Sequence, residues 1–173
     1  MNWYEYIYTH KDLTHTLQRL NSDGTQRRLL CLLLNFANTL LAGYLFTFSA
    51  LFMYITHITV MMSWLYFLSA LMATRTKSLH WLAVHHILFE ASLTANIVVV
   101  IFYWTLLHEG ELANYQGRPL NIFQLYWAHI FPGLSIFINF TMTDVILRAS
   151  HAKLVLVFNF VYICKNYSDT VRL

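Results

Sequence analysis

Charged residues are scarce in this chain. Only 11% of its 173 residues are Asp, Glu, Lys or Arg, against about 25% in soluble globular proteins. None occurs between Arg28 and Arg75. This composition excludes an ordinary soluble domain and predicts an integral membrane protein. One helix over the 46 uncharged residues would be about 69 Å long, more than twice the ~30 Å hydrocarbon core, so the stretch is predicted to fold as a helical hairpin.

Cysteine and clustered basic residues are also scarce. Cys31 and Cys164 lie in or beside apolar runs without a ligand-like spacing, which predicts buried free thiols rather than a disulfide framework or a metal knuckle. The net charge is only +3, and no basic stripe with interleaved aromatics suggests a nucleic-acid partner. The N-terminal segment lacks the basic-then-apolar order of a signal peptide, so any mitochondrial targeting signal is expected to be internal.

Hydrophobic residues make up 58% of the chain and aromatic residues 17%. The pattern predicts an all-α polytopic transmembrane helix bundle over residues 29–167, preceded by an amphipathic interfacial helix in residues 1–28 and followed by a polar tail, 168–173. Four full spans are expected at about 29–48, 53–74, 82–107 and 121–147. A fifth segment, 154–164, is too short to cross completely unless the flanking lysines extend to the interface.

Basic residues are distributed unevenly between the two predicted sides of the membrane. Eight Lys and Arg residues fall on the N-terminal side before the last segment, whereas Arg118 alone falls on the opposite side. Because basic loops are retained on the cytoplasmic or matrix side, the N-terminus is predicted to lie there.

Six ionisable side chains fall inside the predicted spans. Each is a functional candidate, because a charge at membrane depth is costly without a partner or a cavity. They are His57, His85, His86, Glu90, His129 and Asp144. Structural explanations exist for several: the i, i+4 pair His86 and Glu90 could join helices as a neutral hydrogen-bonded pair, and Asp144 could form an ion pair with Arg148 on the next turn.

His129 lies three residues before Pro132. Because proline cannot donate a hydrogen bond to the carbonyl of Ala128, a helix kink with a free carbonyl acceptor is expected beside His129. Such a kink either makes room for a ligand or helps aromatic-rich helices pack. With 1.5 Å per residue, Thr56 lies about 5 Å and His129 about 12 Å from the outer ends of their spans, in the same half of the membrane.

This shared depth allows a hydroxyl nucleophile, Thr56 or Thr59, to meet His129 as a base. His85, His86 and Glu90 fall in the opposite half and are not expected to be partners of His129. A bis-histidine haem would require His57 and His129 on facing helices and is the least favoured interpretation. No cofactor and no metal site is therefore expected.

The segments "YITHITVMMSWLYF" (54–67) and "LHWLAVHHILFEASLTANIVVVIFYWTLL" (79–107), followed by a span containing "WAHIFPG", carry a family resemblance. Together they resemble the androgen-induced protein family of multi-span membrane proteins and the related rolling-stone-like proteins. The resemblance covers residues 30–167 and implies that the chain is shortened at its C-terminus. Members of the family include intramembrane threonine hydrolases of fatty-acid esters of hydroxy fatty acids. By position, it implies a catalytic threonine at Thr56 and a catalytic histidine at His129.

Two functions follow as hypotheses. The first is a non-catalytic accessory subunit of a larger membrane complex, for which we expect the mitochondrial inner membrane and a respiratory or related assembly. The incomplete last segment, the early chain end and the 13 Phe, 11 Tyr and 5 Trp residues favour it, with membrane lipids and other membrane subunits as partners. The alternative is an intramembrane Thr/His hydrolase of fatty-acid esters.

Overall fold

A computed structural model describes residues 20, 24–46, 54–141 and 157 of the chain. Helices and short turns account for these residues, and no strand occurs among them. The all-α prediction is thus confirmed for the described part of the chain. Its elements are α1 (Thr25–Leu45), α2 (Ile55–Thr76), α3 (Leu79–Phe102), a π-helical segment (Tyr103–Leu107), α4 (His108–Asn114) and α5 (Pro119–Thr141).

Three helical stretches are long and apolar enough to cross a membrane: Thr25–Leu45, Ile55–Thr76 and Leu79–Asn114, the last combining α3, the π segment and α4. These stretches are consistent with an integral membrane protein. The long uncharged region forms two helices, α1 and α2, packed against each other, as the length argument predicts. Apart from Leu20, Val157 and residues 24–28, the predicted interfacial segment, fifth segment and polar tail lie outside the described residues.

Backbone geometry at the helix ends explains where the chain turns. Gly24, with φ +152°, immediately precedes α1, so the helix begins four residues earlier than the predicted span and includes Arg28, which is 1% exposed. Lys77 ends α2 in the left-handed conformation, and α3 starts after Ser78, which makes a tight helical hairpin. Gly117, with φ +77°, lies in the turn before α5 and supplies a conformation that other residues rarely adopt.

Helix α2 packs against both α1 and α3, and α5 contacts all three. The aromatic core lies where these helices meet and includes Tyr66, Phe67, Phe89 and Ile136, each 0% exposed. The ring of Tyr66 packs edge-on against Phe67, with 4.8 Å between ring centroids. The core therefore joins α2, α3 and α5 into one bundle.

Buried amides and hydroxyls hydrogen-bond between helices. Asn96 Nδ2 on α3 donates to Ser63 Oγ on α2 at 3.1 Å and also to the Ser92 carbonyl at 2.8 Å. Further helix-to-helix pairs among the described residues include Asn35 Nδ2 to Ser135 Oγ (3.2 Å), Gln124 Nε2 to Asn38 Oδ1 (3.4 Å) and Asn139 Nδ2 to the Tyr66 hydroxyl. Polar bonds of this kind supply helix association that apolar side chains alone give only weakly in lipid.

We predict that Asn96→Ala destabilises the bundle by about 0.5–1.5 kcal/mol, because it removes the bond joining α2 to α3. Thermal unfolding in detergent measures the change, with Asn114→Ala as the control, since Asn114 is exposed on α4. Equal unfolding midpoints for the two variants would contradict a stabilising role for the Asn96–Ser63 pair.

Candidate functional site

His129 lies on the buried side of α5 and is 7% exposed. Its imidazole stacks on the phenol ring of Tyr103, with 3.4 Å between ring centroids and 9° between planes. The helix continues through Pro132 to Thr141. Because Pro132 has no N–H group, the Ala128 carbonyl lacks its usual donor four residues ahead.

A small polar cavity brings His129 and Thr56 together. The cavity has a volume of about 100 Å³ and lies where α2, α4 and α5 meet. Because a water molecule occupies about 30 Å³ of liquid, roughly three waters would fit in this volume. Its walls are formed by Phe46, Tyr54, Thr56, His57, Glu111, Tyr115, Gln124, Leu125, Ala128 and His129.

Thr56 and Thr59 differ in their surroundings. Thr59 is fully buried and its hydroxyl donates to the Thr56 carbonyl at 2.8 Å, whereas Thr56 is half-buried and lines the cavity. The geometry therefore favours Thr56 over Thr59 as the hydroxyl available for chemistry. The described residues contain no direct hydrogen bond between Thr56 and His129, and catalytic hydrogen bonds often tighten only when substrate is bound.

A larger apolar groove lies on the other side of His129. It has a volume of about 500 Å³ and runs between α3 and α5. Its walls are Leu93, Asn96, Ile97, Val100, Ile101, Trp104, His129, Ile130, Gly133, Leu134 and Phe137. His129 is thus a wall residue of both the polar cavity and the apolar groove.

Among the other ionisable candidates, His57 lines the polar cavity and is 8% exposed. His85, His86 and Glu90 are buried on α3 and line neither space. The His85 ring stacks on Tyr66, with centroids 4.6 Å apart, which indicates a packing role. Asp144 lies outside the described residues. Within the described ranges, no group of three or more His, Cys, Asp or Glu residues could hold a metal ion.

Sequence reasoning missed several residues of the site. Glu111, Tyr115 and Gln124 line the cavity, and Tyr103 contacts His129. Burial, together with the nearby carboxylate of Glu111, raises the pKa of the Tyr115 hydroxyl, so this phenol remains a neutral hydrogen-bond donor. The one sequence signal for these cavity residues is the polar stretch around Glu111, which separates two apolar segments. That signal does not indicate that the stretch packs beside Thr56 and His129.

No protein-family model, no curated protein and no solved structure matches this chain. The resemblance to the androgen-induced protein family therefore stays a prediction from the quoted segments. The geometry of the two spaces around His129 is independent of that resemblance.

Proposed function

We propose that α5 crosses the bilayer as a fourth span, with the N-terminus on the cytoplasmic or matrix side. Its 23 residues extend about 35 Å, enough for a ~30 Å hydrocarbon core. The uneven distribution of basic residues supports this orientation. With this topology, the polar cavity lies in the outer half of the membrane and the groove faces lipid.

We propose that the chain is an intramembrane hydrolase of fatty-acid esters. The observation that carries this proposal is that His129 borders both a polar cavity shared with Thr56 and a long apolar groove. An ester needs both environments, because its acyl chain is apolar while its carbonyl and the attacking water are polar. A substrate entering from the bilayer would lay its acyl chain in the groove and present its carbonyl at His129.

Thr56 is the proposed nucleophile and His129 the proposed general base and acid. The Thr56 oxygen attacks the ester carbonyl carbon while His129 takes the hydroxyl proton. The tetrahedral intermediate then expels the alcohol, which receives that proton, and leaves an acyl-threonine. Water attacks this ester with His129 again accepting a proton, and the fatty acid leaves as Thr56 recovers its proton. Tyr115, on the same cavity, is a donor available to the oxyanion.

We predict that a fluorophosphonate probe labels the purified wild-type protein at Thr56, because that hydroxyl would be activated by His129. Labelling is expected to disappear in Thr56→Ala and to fall by about 10²–10⁴-fold in rate in His129→Ala, the usual contribution of a general base. Thr59→Ala is the matched control and should label normally. Labelling that persists in Thr56→Ala would exclude Thr56 as the nucleophile.

The groove leads to a second prediction. A Cβ at Gly133 would lie 3.5 Å from Asn96 Cβ and 3.9 Å from Val100 Cγ2, so a bulky side chain there occupies the groove. Gly133→Phe should therefore reduce photocrosslinking of a diazirine-bearing fatty-acid ester to α3 and α5, read by mass spectrometry. Gly110→Phe should not, since nothing lies within 4 Å of a Cβ at Gly110. Equal crosslinking in both folded variants would argue against an acyl chain in the groove.

We also propose, as the second candidate, the accessory-subunit function in a larger membrane complex, with the mitochondrial inner membrane as its location. The observation that favours it is the wide apolar outer face of α1, on which Leu30, Leu33, Leu40 and Tyr44 are each more than half exposed. Such a face can pack against neighbouring subunits as well as against lipid.

This function predicts that gentle detergent extraction from the native membrane yields a particle far above 20.4 kDa with stoichiometric partners. The particle mass and composition can be measured by native mass spectrometry. A monomer or small homo-oligomer would contradict the subunit function and favour the hydrolase.

A further inference from the structure

The π-helical segment that follows α3 sets the position of Tyr103. Tyr103 is 1% exposed, whereas the other four residues of the segment are all exposed. The His108 N–H donates to the Tyr103 carbonyl, the five-residue spacing of a π turn. Such single π turns within α-helices frequently occur at functional sites.

The same five-residue spacing also joins the two side chains. His108 Nδ1 lies 2.9 Å from the Tyr103 hydroxyl, and the two rings meet nearly edge to face, with centroids 5.4 Å apart. Tyr103 also stacks face to face on the imidazole of His129. The phenol ring is therefore held between a hydrogen-bonding partner on α4 and the imidazole on α5.

Among the residues that the structure describes, no hydrogen bond to Nδ1 orients the imidazole of His129. In nucleophile–base pairs, a third group normally hydrogen-bonds the far nitrogen of the base and fixes its plane. Within the described part of the chain, Nδ1 of His129 is buried and has no hydrogen-bond partner. The stack on Tyr103 fixes the plane of the His129 ring by contact over a whole face.

We propose that Tyr103, held by the π turn and by His108, is the positioning residue that orients His129 for proton transfer. This inference rests on the proposed hydrolase function. Stacking orients the imidazole without a carboxylate hydrogen-bonded to the buried Nδ1 atom. A charge at that depth is costly, which gives an aromatic orienter an advantage in a bilayer.

The test compares Tyr103→Leu with Tyr103→Phe in detergent, using a p-nitrophenyl fatty-acid ester as substrate. Tyr103→Leu removes the stack, and kcat should fall by about 10- to 100-fold, the effect of a small misplacement, with little change in KM. Tyr103→Phe keeps the ring and should retain most of kcat. A role in folding alone would not produce this split between kcat and KM with rescue by phenylalanine.

A second readout does not depend on activity. With ¹³C-labelled histidine, the Cε1–H resonance of His129, identified by its loss in His129→Gln, should be shifted upfield by the Tyr103 ring. The shift should persist in Tyr103→Phe and disappear in Tyr103→Leu. An unchanged resonance or an unchanged kcat in Tyr103→Leu would overturn the proposal. If the shift behaves as expected but the wild type hydrolyses no ester, the hydrolase function fails and the stack is only packing.

Discussion

Hydrogen bonds between buried polar side chains determine how the helices of this chain fit together. Apolar side chains gain little by leaving lipid for a protein interior, so they do not by themselves select one arrangement of helices. Asn35 and Asn38 lie on the same side of α1 and bond Ser135 and Gln124 of α5. These two bonds fix which side of α1 faces the bundle, and the remaining apolar side is left to lipid or to other proteins.

The position of His129 follows from the same bonds. Gln124 and Asn139 attach α5 to α1 and α2 at points about 22 Å apart along the helix, and His129 lies between them. A helix held at both positions has little freedom to rotate about its axis. The side chains in its central part therefore keep a fixed direction relative to α2 and α3. His129 consequently borders an apolar groove and a polar cavity at once, which is the feature on which the proposed chemistry depends.

Sequence reasoning succeeded where a single physical quantity decided the outcome. The length of the uncharged stretch predicts two helices, and α1 and α2 form them. Helical rise predicts that Thr56 and His129 lie at similar depth, which stays a prediction, and both residues line the polar cavity. Sequence reasoning failed where contacts between distant parts of the chain determine the position of a residue. The polar composition of residues 1–28 predicts an interfacial segment that includes Arg28, but this side chain is buried, and its guanidinium donates to the Leu20 carbonyl at 2.7 Å. Nothing in the local sequence indicates the π turn. Hydrophobic spacing is compared with the 3.6-residue repeat of an α-helix, and a single wider turn does not change that pattern enough to be recognised.

The π turn has consequences beyond its own five residues. One extra residue in a turn rotates everything that follows by about 100° relative to an uninterrupted α-helix. Glu111 is half-buried on the cavity wall, whereas its neighbour Glu109 is exposed, so the direction in which α4 presents its carboxylates depends on that rotation. A regular helix would also break the alignment of Tyr103 with His108. The irregular turn thus determines the position of Glu111 on the cavity wall and of the Tyr103 ring against His129. Glutamate and tyrosine also occur elsewhere in the chain, so residue type alone does not predict these two positions.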